Sequence, residues 1–112
     1  MDTKIIDALY REALLLADQA RGWFDGAGRA RREGSAAEAE AAFATESLRI
    51  TARLAAAMAW LVDGGKGVPL ALLGELQGPL PDALAGTPGG QIALASRALA
   101  ARVAALATEA RS

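Results

Sequence analysis

Residues 35–63 read SAAEAEAAFATESLRITARLAAAMAWLVD and contain no glycine or proline that would interrupt a helix. Ser35 and Glu38 have the spacing of a capping box, in which both side chains bond backbone N–H groups at the start of a helix. Gly64 and Gly65 follow Asp63 and end the pattern. One broad face collects the side chains that we expect to be buried: Phe43, Ser47, Leu48, Ile50, Leu54, Ala55, Met58, Leu61 and Val62. The stretch therefore predicts a long helix with a single core side.

Two further helical patterns flank this stretch. The first runs from Thr3 to about Asp25, and the last runs from Gly89 or Gly90 to about Ala110. The apolar positions of the first pattern are Ile6, Leu9, Ala13, Leu16, Ala20 and Trp23. Those of the last pattern are Ile92, Ala95, Leu99, Val103, Leu106 and Ala110. Steps of three and four residues along both patterns predict helices that pack lengthwise against their neighbours.

The two segments between these helices differ in composition. Residues 26–34 begin with Gly26-Ala27-Gly28, which is expected to end the first helix, and carry three arginines in a basic, solvated connector. Residues 64–90 hold eight of the twelve glycines and all four prolines, but also seven large aliphatic residues. A freely solvated linker would not carry so many aliphatic side chains. We therefore expect an ordered connection with a short helix near Pro69–Gln77 and a further turn near Pro81–Leu84.

Composition restricts the fold to one small all-α domain. The chain has 112 residues, which is too few for two full hydrophobic cores, so residues 1–112 are expected to form a single domain. Alanine and leucine, both strong helix formers, supply most of the hydrophobic positions, whereas aromatic residues total five and valine plus isoleucine total seven. The prediction is a three-helix bundle whose second and third helices are joined by the ordered Gly/Pro/Leu-rich connection.

The same composition excludes several kinds of chemistry. The chain has no histidine and no cysteine, which removes disulfides, thiol nucleophiles, imidazole catalysis and zinc sites with sulfur or nitrogen ligands. The stretch Gly64-Gly65-Lys66-Gly67 follows a helix and lacks the spacing of a phosphate-binding loop. We therefore predict that the protein is not an enzyme and that it uses no cofactor and no metal.

Charge and hydropathy also limit the partners. Twelve basic and thirteen acidic residues give a net charge of −1, so no overall field attracts nucleic acid. The longest uncharged apolar stretch, Leu54–Val62, has nine residues, whereas a membrane span needs about 20. The first four residues, Met1-Asp2-Thr3-Lys4, do not resemble a signal peptide. The expectation is a soluble, cytoplasmic protein that binds neither nucleic acid nor membrane.

A second stripe runs beside the expected core face of the central helix. Glu46, Arg49, Arg53 and Trp60 follow one another at steps of three, four and seven residues. Such a stripe is typical of an exposed ladder of charges, which contributes a few tenths of a kcal/mol per pair. Trp60 points about 140° away from the centre of the expected core face, so something else must cover it. That cover is either the leucine-rich connection or a partner, and tryptophan and arginine are enriched at interface hot spots.

The central motif resembles that of a known family. Residues 43–54, FATESLRITARL, and residues 59–62, AWLV, resemble the signature of the alphaproteobacterial family typified by the regulator of CtrA degradation, RcdA. That family carries an aromatic residue, then Glu-Ser-x-Arg-x-Thr-x-Arg-Leu, then Trp-Leu-Leu. Residues 9–13, 20–24, 74–76 and 80–81 are similar to its first helix and its connection. Similar positions in its last helix are Ser96, Leu99, Arg102, Val103 and Leu106.

The resemblance implies both an assembly and a function. It implies a homodimeric adaptor that binds the ClpXP protease together with a priming factor and delivers regulatory proteins to it during the cell cycle. The motif match makes four residues candidates for partner binding: Glu46, Arg49, Arg53 and Trp60. The alternative is a structural or dimerisation module without a protease link, which explains the composition and periodicity equally well. A third hypothesis is nucleic-acid binding through the three arginines at positions 29, 31 and 32.

Overall fold

The computed structural model describes residues 3–63 and 78–111, and all regular structure in these ranges is helical. The elements in chain order are α1 (Thr3–Asp25), α2 (Ala27–Glu33), α3 (Ala37–Asp63), a 3-10 turn (Asp82–Leu84) and α4 (Pro88–Arg111). The all-α prediction is confirmed, and the expected bounds of the three long helices agree with the observed ones to within a turn. None of the described helices is long and apolar enough to cross a membrane.

Helices α1 and α2 form one bent helix, which corrects the prediction of a loop at residues 26–34, although most of these residues are solvent-exposed as expected. The Gly26 N–H group donates to the Gly22 carbonyl (3.1 Å), and the Ala30 N–H group donates to the Gly26 carbonyl (3.2 Å). Helical hydrogen bonding therefore continues through the bend at Gly26, and residues 3–63 and 78–111 contain three long helices, the first of them bent. The glycines at this point allow a close approach between helices and do not end the helix.

Trp23 shows why glycine is needed near the bend. Its ring stacks on Phe43 with centroids 6.1 Å apart, and it meets Phe24 edge-on at 5.0 Å. The same ring lies directly over Gly28 of α2 and Gly89 of α4. A Cβ atom at Gly28 would lie 2.6 Å from the ring atom Cε3, and one at Gly89 would clash with the same ring. Close packing of one indole thus requires glycine in two different helices.

This packing leads to a prediction about two alanine substitutions. Gly89→Ala is expected to lower the free energy of unfolding by about 1–3 kcal/mol, because the added methyl group overpacks the Trp23 contact. Gly22→Ala is the matched control, since no atom lies within 4 Å of its added Cβ. In the control, the better helix propensity of alanine should raise stability by roughly 0.5–1 kcal/mol. Thermal melts of both variants give the comparison, and equal shifts would contradict the packing argument.

Contacts at the two ends of α1 define the topology of the bundle. Trp23, near the end of α1, contacts Phe43 near the start of α3 and Gly89 at the start of α4. Glu12, in the first half of α1, pairs with Arg102 in the second half of α4. Helices α3 and α4 therefore both run antiparallel to α1 and parallel to each other. The connection from Asp63 to Pro88 thus joins opposite ends of the bundle.

The described part of this connection agrees with the sequence prediction. The turn expected near Pro81–Leu84 is the 3-10 turn Asp82–Leu84, whereas the short helix expected near Pro69–Gln77 lies outside the described residues. Thr87 caps α4, since its hydroxyl accepts from the Gly90 N–H group (3.1 Å) and donates to the Leu84 carbonyl (2.7 Å). The cap explains why the helix begins at Pro88.

Candidate functional site

Three of the four candidate partner-binding residues are buried within the single chain. The exposed fraction is 0% for Glu46, 0% for Arg53 and 3% for Trp60, while Arg49 is half-buried. The three buried residues are spaced seven apart along α3 and therefore lie on one face of the helix. Their direct contact with a partner stays a prediction. In the folded chain, Glu46 and Arg53 take part in the contact between α3 and α4.

Buried polar groups join these two helices near the middle of the bundle. Arg53 donates from Nη1 to the Ser96 hydroxyl at 2.7 Å, and that hydroxyl donates in turn to the Ala93 carbonyl at 2.7 Å. Arg97 donates from Nη2 to Glu46 Oε1 at 3.0 Å. We refer to Glu46, Arg53, Ser96 and Arg97 as the polar cluster. It consists of one carboxylate, one hydroxyl and two guanidinium groups, with two side chains coming from each helix.

The described residues of the polar cluster carry two positive charges and one negative charge. Burial lowers the pKa of the Arg53 guanidinium below its ordinary value; the Glu46 carboxylate acts to raise it, and Arg97 and Arg49 lower it further. The second carboxylate oxygen of Glu46, Oε2, is buried and has no hydrogen-bond partner among the described residues. Among the described residues, three arginines therefore lie near one carboxylate, and one oxygen of that carboxylate has no hydrogen-bond partner there. A cluster of this kind is costly to bury.

Arg49 occupies the edge of this region. A Cβ atom added to Gly78 would lie 2.8 Å from Nη1 of Arg49, so the guanidinium group packs against the backbone where the described part of the connection resumes. The absence of a side chain at Gly78 thus makes room for Arg49. Of the four candidate residues, Arg49 is the one with a partly exposed side chain.

The buried arc of α3 differs from the predicted core face. Leu48 and Val62 were expected in the core but are 71% and 70% exposed. Trp60 was expected to need a cover beyond the core, but it belongs to the core cluster. The reason is that α3 packs against both α1 and α4, so its buried arc is broad and extends through the stripe of Glu46, Arg53 and Trp60. The interpretation of these three residues as part of an exposed row of charged side chains is therefore wrong.

Ser96 and Arg97 are site residues whose contacts with α3 the sequence analysis did not predict. Ser96 lies within the apolar stripe of α4, between Ile92 and Leu99, and is 0% exposed. A hydroxyl group in an otherwise apolar stripe is a sign of a buried hydrogen bond. The partner residues lie 43 and 51 positions earlier in the chain, and helical periodicity carries no signal over that separation.

The opposite side of α3 presents an uncharged surface. Leu48, Ala52, Ala55 and Val62 are exposed, and we call them the exposed face of α3. A groove between α1 and α3 runs beside this face. Its lining combines apolar residues, among them Phe24, Ile50, Leu54 and Met58, with the polar residues Arg21, Asp25, Ser47 and Thr51. An exposed apolar surface such as the exposed face of α3 is typical of a protein–protein contact region.

The three arginines of residues 26–34 lie on the short helix α2 and not in a loop. Arg29 pairs with Glu33 at 3.2 Å, one turn away, and both side chains are more than half exposed. This intrahelical pair uses one of the three positive charges for a contact within α2.

The fold and the polar cluster define a small helical-bundle protein whose parallel helices α3 and α4 are joined through buried charges. The chain belongs to the family described as "Protein of unknown function (DUF1465)", whose model matches residues 1–64. No curated protein and no solved structure matches the chain. The family match covers Glu46 and Arg53 but ends before Ser96 and Arg97. It assigns no function and gives no specific support to the RcdA resemblance.

Proposed function

We propose that the protein is a non-enzymatic, cytoplasmic, homodimeric adaptor that helps deliver regulatory proteins to the ClpXP protease in cell-cycle-regulated proteolysis. The observation that carries the proposal is the motif of residues 43–54 and 59–62, which resembles that of the RcdA family. The exposed face of α3 supports an interaction role, because it offers aliphatic side chains on a long, regular helix. An adaptor needs such a surface and needs no catalytic groups of its own.

The exposed face of α3 also suits a second copy of the chain. Leu48 and Val62 each lie two turns from Ala55, so a two-fold axis through Ala55 would place Leu48 of one copy opposite Val62 of the other. Alanine at positions 52 and 55 allows the two helices to approach closely. The alternative function is a dimerisation module without a protease link. The same surface supports it, and the two functions differ only in whether the protein delivers cargo to a protease.

The test combines a degradation assay with a mass measurement. We expect the protein to accelerate the loss of a candidate cargo in the presence of ClpXP and its priming factor, and to show a mass of twice 11.5 kDa in light scattering. Leu48→Asp, on the exposed face of α3, should weaken association roughly thirtyfold if Leu48 is an interface hot spot. Leu15→Asp is the matched control, because Leu15 is also exposed, at 58%, but lies on α1.

Each part of the proposal can fail separately. A dimer that binds no protease and does not change cargo loss would favour the dimerisation module. A monomer at a concentration of about 100 micromolar, on the scale of a weak interface, would contradict the dimer. Equal defects in Leu48→Asp and Leu15→Asp would show that the exposed face of α3 is not the surface used.

A further inference from the structure

No short turn joins α3 to α4, so their relative register is not fixed in the way that it is between antiparallel neighbours. Short loops determine how antiparallel neighbours align, whereas α3 and α4 run parallel and are separated by the whole stretch 64–87. Contacts between the side chains of α3 and α4 therefore contribute to their register.

Part of the apolar stripe of α4 repeats at an interval of two helical turns. Ile92, Leu99 and Leu106 repeat at this interval, and so do Ala93, Ala100 and Ala107. All six are buried or half-buried. After a slip of α4 by two turns, two of the three sites in each series would still hold a residue of the same kind, leucine or isoleucine in the first series and alanine in the second. Packing at these six positions thus distinguishes the registers weakly, whereas Gly89 beneath Trp23 has no glycine seven residues before or after it and opposes a slip through a separate contact.

The polar cluster breaks this repeat. After a slip in one direction, Val103 and Ala104 would replace Ser96 and Arg97 opposite α3. Arg53 would then lose the hydroxyl that it bonds at 2.7 Å, and Glu46 would lose the guanidinium group at 3.0 Å. After a slip in the other direction, Gly89 and Gly90 would take these positions, with the same loss. Of these three registers, the observed one alone keeps the Arg53–Ser96 and Glu46–Arg97 contacts.

We infer that the polar cluster is a register lock, which selects one alignment of α4 on α3 and adds little net stability. Burying the cluster is costly, and Glu46 Oε2 has no hydrogen-bond partner among the described residues. Replacing such a cluster by apolar residues of similar size is often neutral or stabilising, and specifying register is the best-attested role of buried polar groups. The inference concerns the fold and does not depend on the adaptor function.

The test measures the register with a pair of spin labels. The chain has no cysteine, so Thr45→Cys on α3 and Ala105→Cys on α4 give two labels at exposed positions. The two sites lie at different heights along the bundle, so that a slip along the axis changes the distance between the labels. A slip by two turns corresponds to a displacement of about 10.5 Å. Labelled protein is diluted with unlabelled protein, so that only distances within one chain are measured.

The test variant replaces the whole polar cluster: Glu46→Leu, Arg53→Met, Ser96→Ala and Arg97→Met. We expect it to stay helical in circular dichroism and to melt no lower than the parent chain, while the single distance becomes two or more distances that differ by several ångströms. The control is Arg29→Met with Glu33→Leu, which removes an exposed ion pair within α2 and should leave the single distance unchanged.

Two results would overturn the inference. An unchanged single distance in the test variant would assign the register to packing, in particular to the contact of Trp23 with Gly89. Loss of the helical signal in the test variant would show that the polar cluster supplies stability, and the cluster would then not be a register lock.

Discussion

Replacing Glu46 with glutamine is expected to lower the free energy of unfolding by about 3 kcal/mol or more, which is the usual cost of breaking a buried ion pair by removing one charge. The glutamine keeps the shape of the side chain and an oxygen acceptor for Arg97, so the loss reflects the charge. Without the carboxylate, Arg49, Arg53 and Arg97 lie close together with no opposing charge from α3. In this domain the melting temperature should fall by roughly 12 °C.

The control for Glu46→Gln is the same substitution at Glu33. Glu33 also accepts from an arginine, but its side chain is 61% exposed and its partner lies on the same helix. Exposed pairs contribute about 1 kcal/mol or less, so Glu33→Gln should change the melting temperature little. A combined Glu46→Gln and Arg97→Gln variant should lose less than the sum of the two single losses, because the residues contact each other. Additive losses would contradict the geometry of the pair.

The helices themselves could be predicted from the sequence because their signals are local. Spacing of apolar residues every three or four positions gave α1 its observed bounds, Thr3–Asp25, and gave α3 and α4 bounds within a turn of the observed ones. The bend between α1 and α2 was missed because Gly26 and Gly28 were interpreted as ending the helix. Their role depends on Trp23 packing over Gly28 and Gly89, and Gly89 belongs to a different helix near the far end of the sequence.

The candidate site could be located from the sequence but not interpreted. The regular spacing of Glu46, Arg53 and Trp60 correctly places them on one face of α3. Periodicity assigned that face to the outside, because arginine and glutamate count as polar in any hydrophobic pattern. Whether a charged side chain is buried depends on its partners, here Ser96 and Arg97, and the topology of the chain brings these partners together. The parallel arrangement of α3 and α4 leaves no trace in the sequence of either helix.

Replacing Trp60 with alanine is expected to lower the free energy of unfolding by about 3–5 kcal/mol, since the removal of a large buried aromatic side chain leaves a cavity. Trp60 is 3% exposed and lies in the core cluster, two turns beyond Arg53. Trp60→Phe should lose less, because the phenyl ring fills much of the space. Val62→Ala provides the matched control, since Val62 lies close by in the sequence but is 70% exposed. Thermal or urea unfolding of the three variants gives the ranking.

The same Trp60→Ala variant separates a core role from a partner-binding role. A core residue loses stability on truncation, and any loss of assembly then follows from unfolding and disappears at low temperature, where the variant is folded. A partner hot spot would instead weaken association roughly thirtyfold while the melting temperature of the monomer stays the same. Light scattering of the folded variant, together with its melting curve, distinguishes the two. We expect the core result, because an indole that α3 buries within its own chain has little surface left to offer another protein.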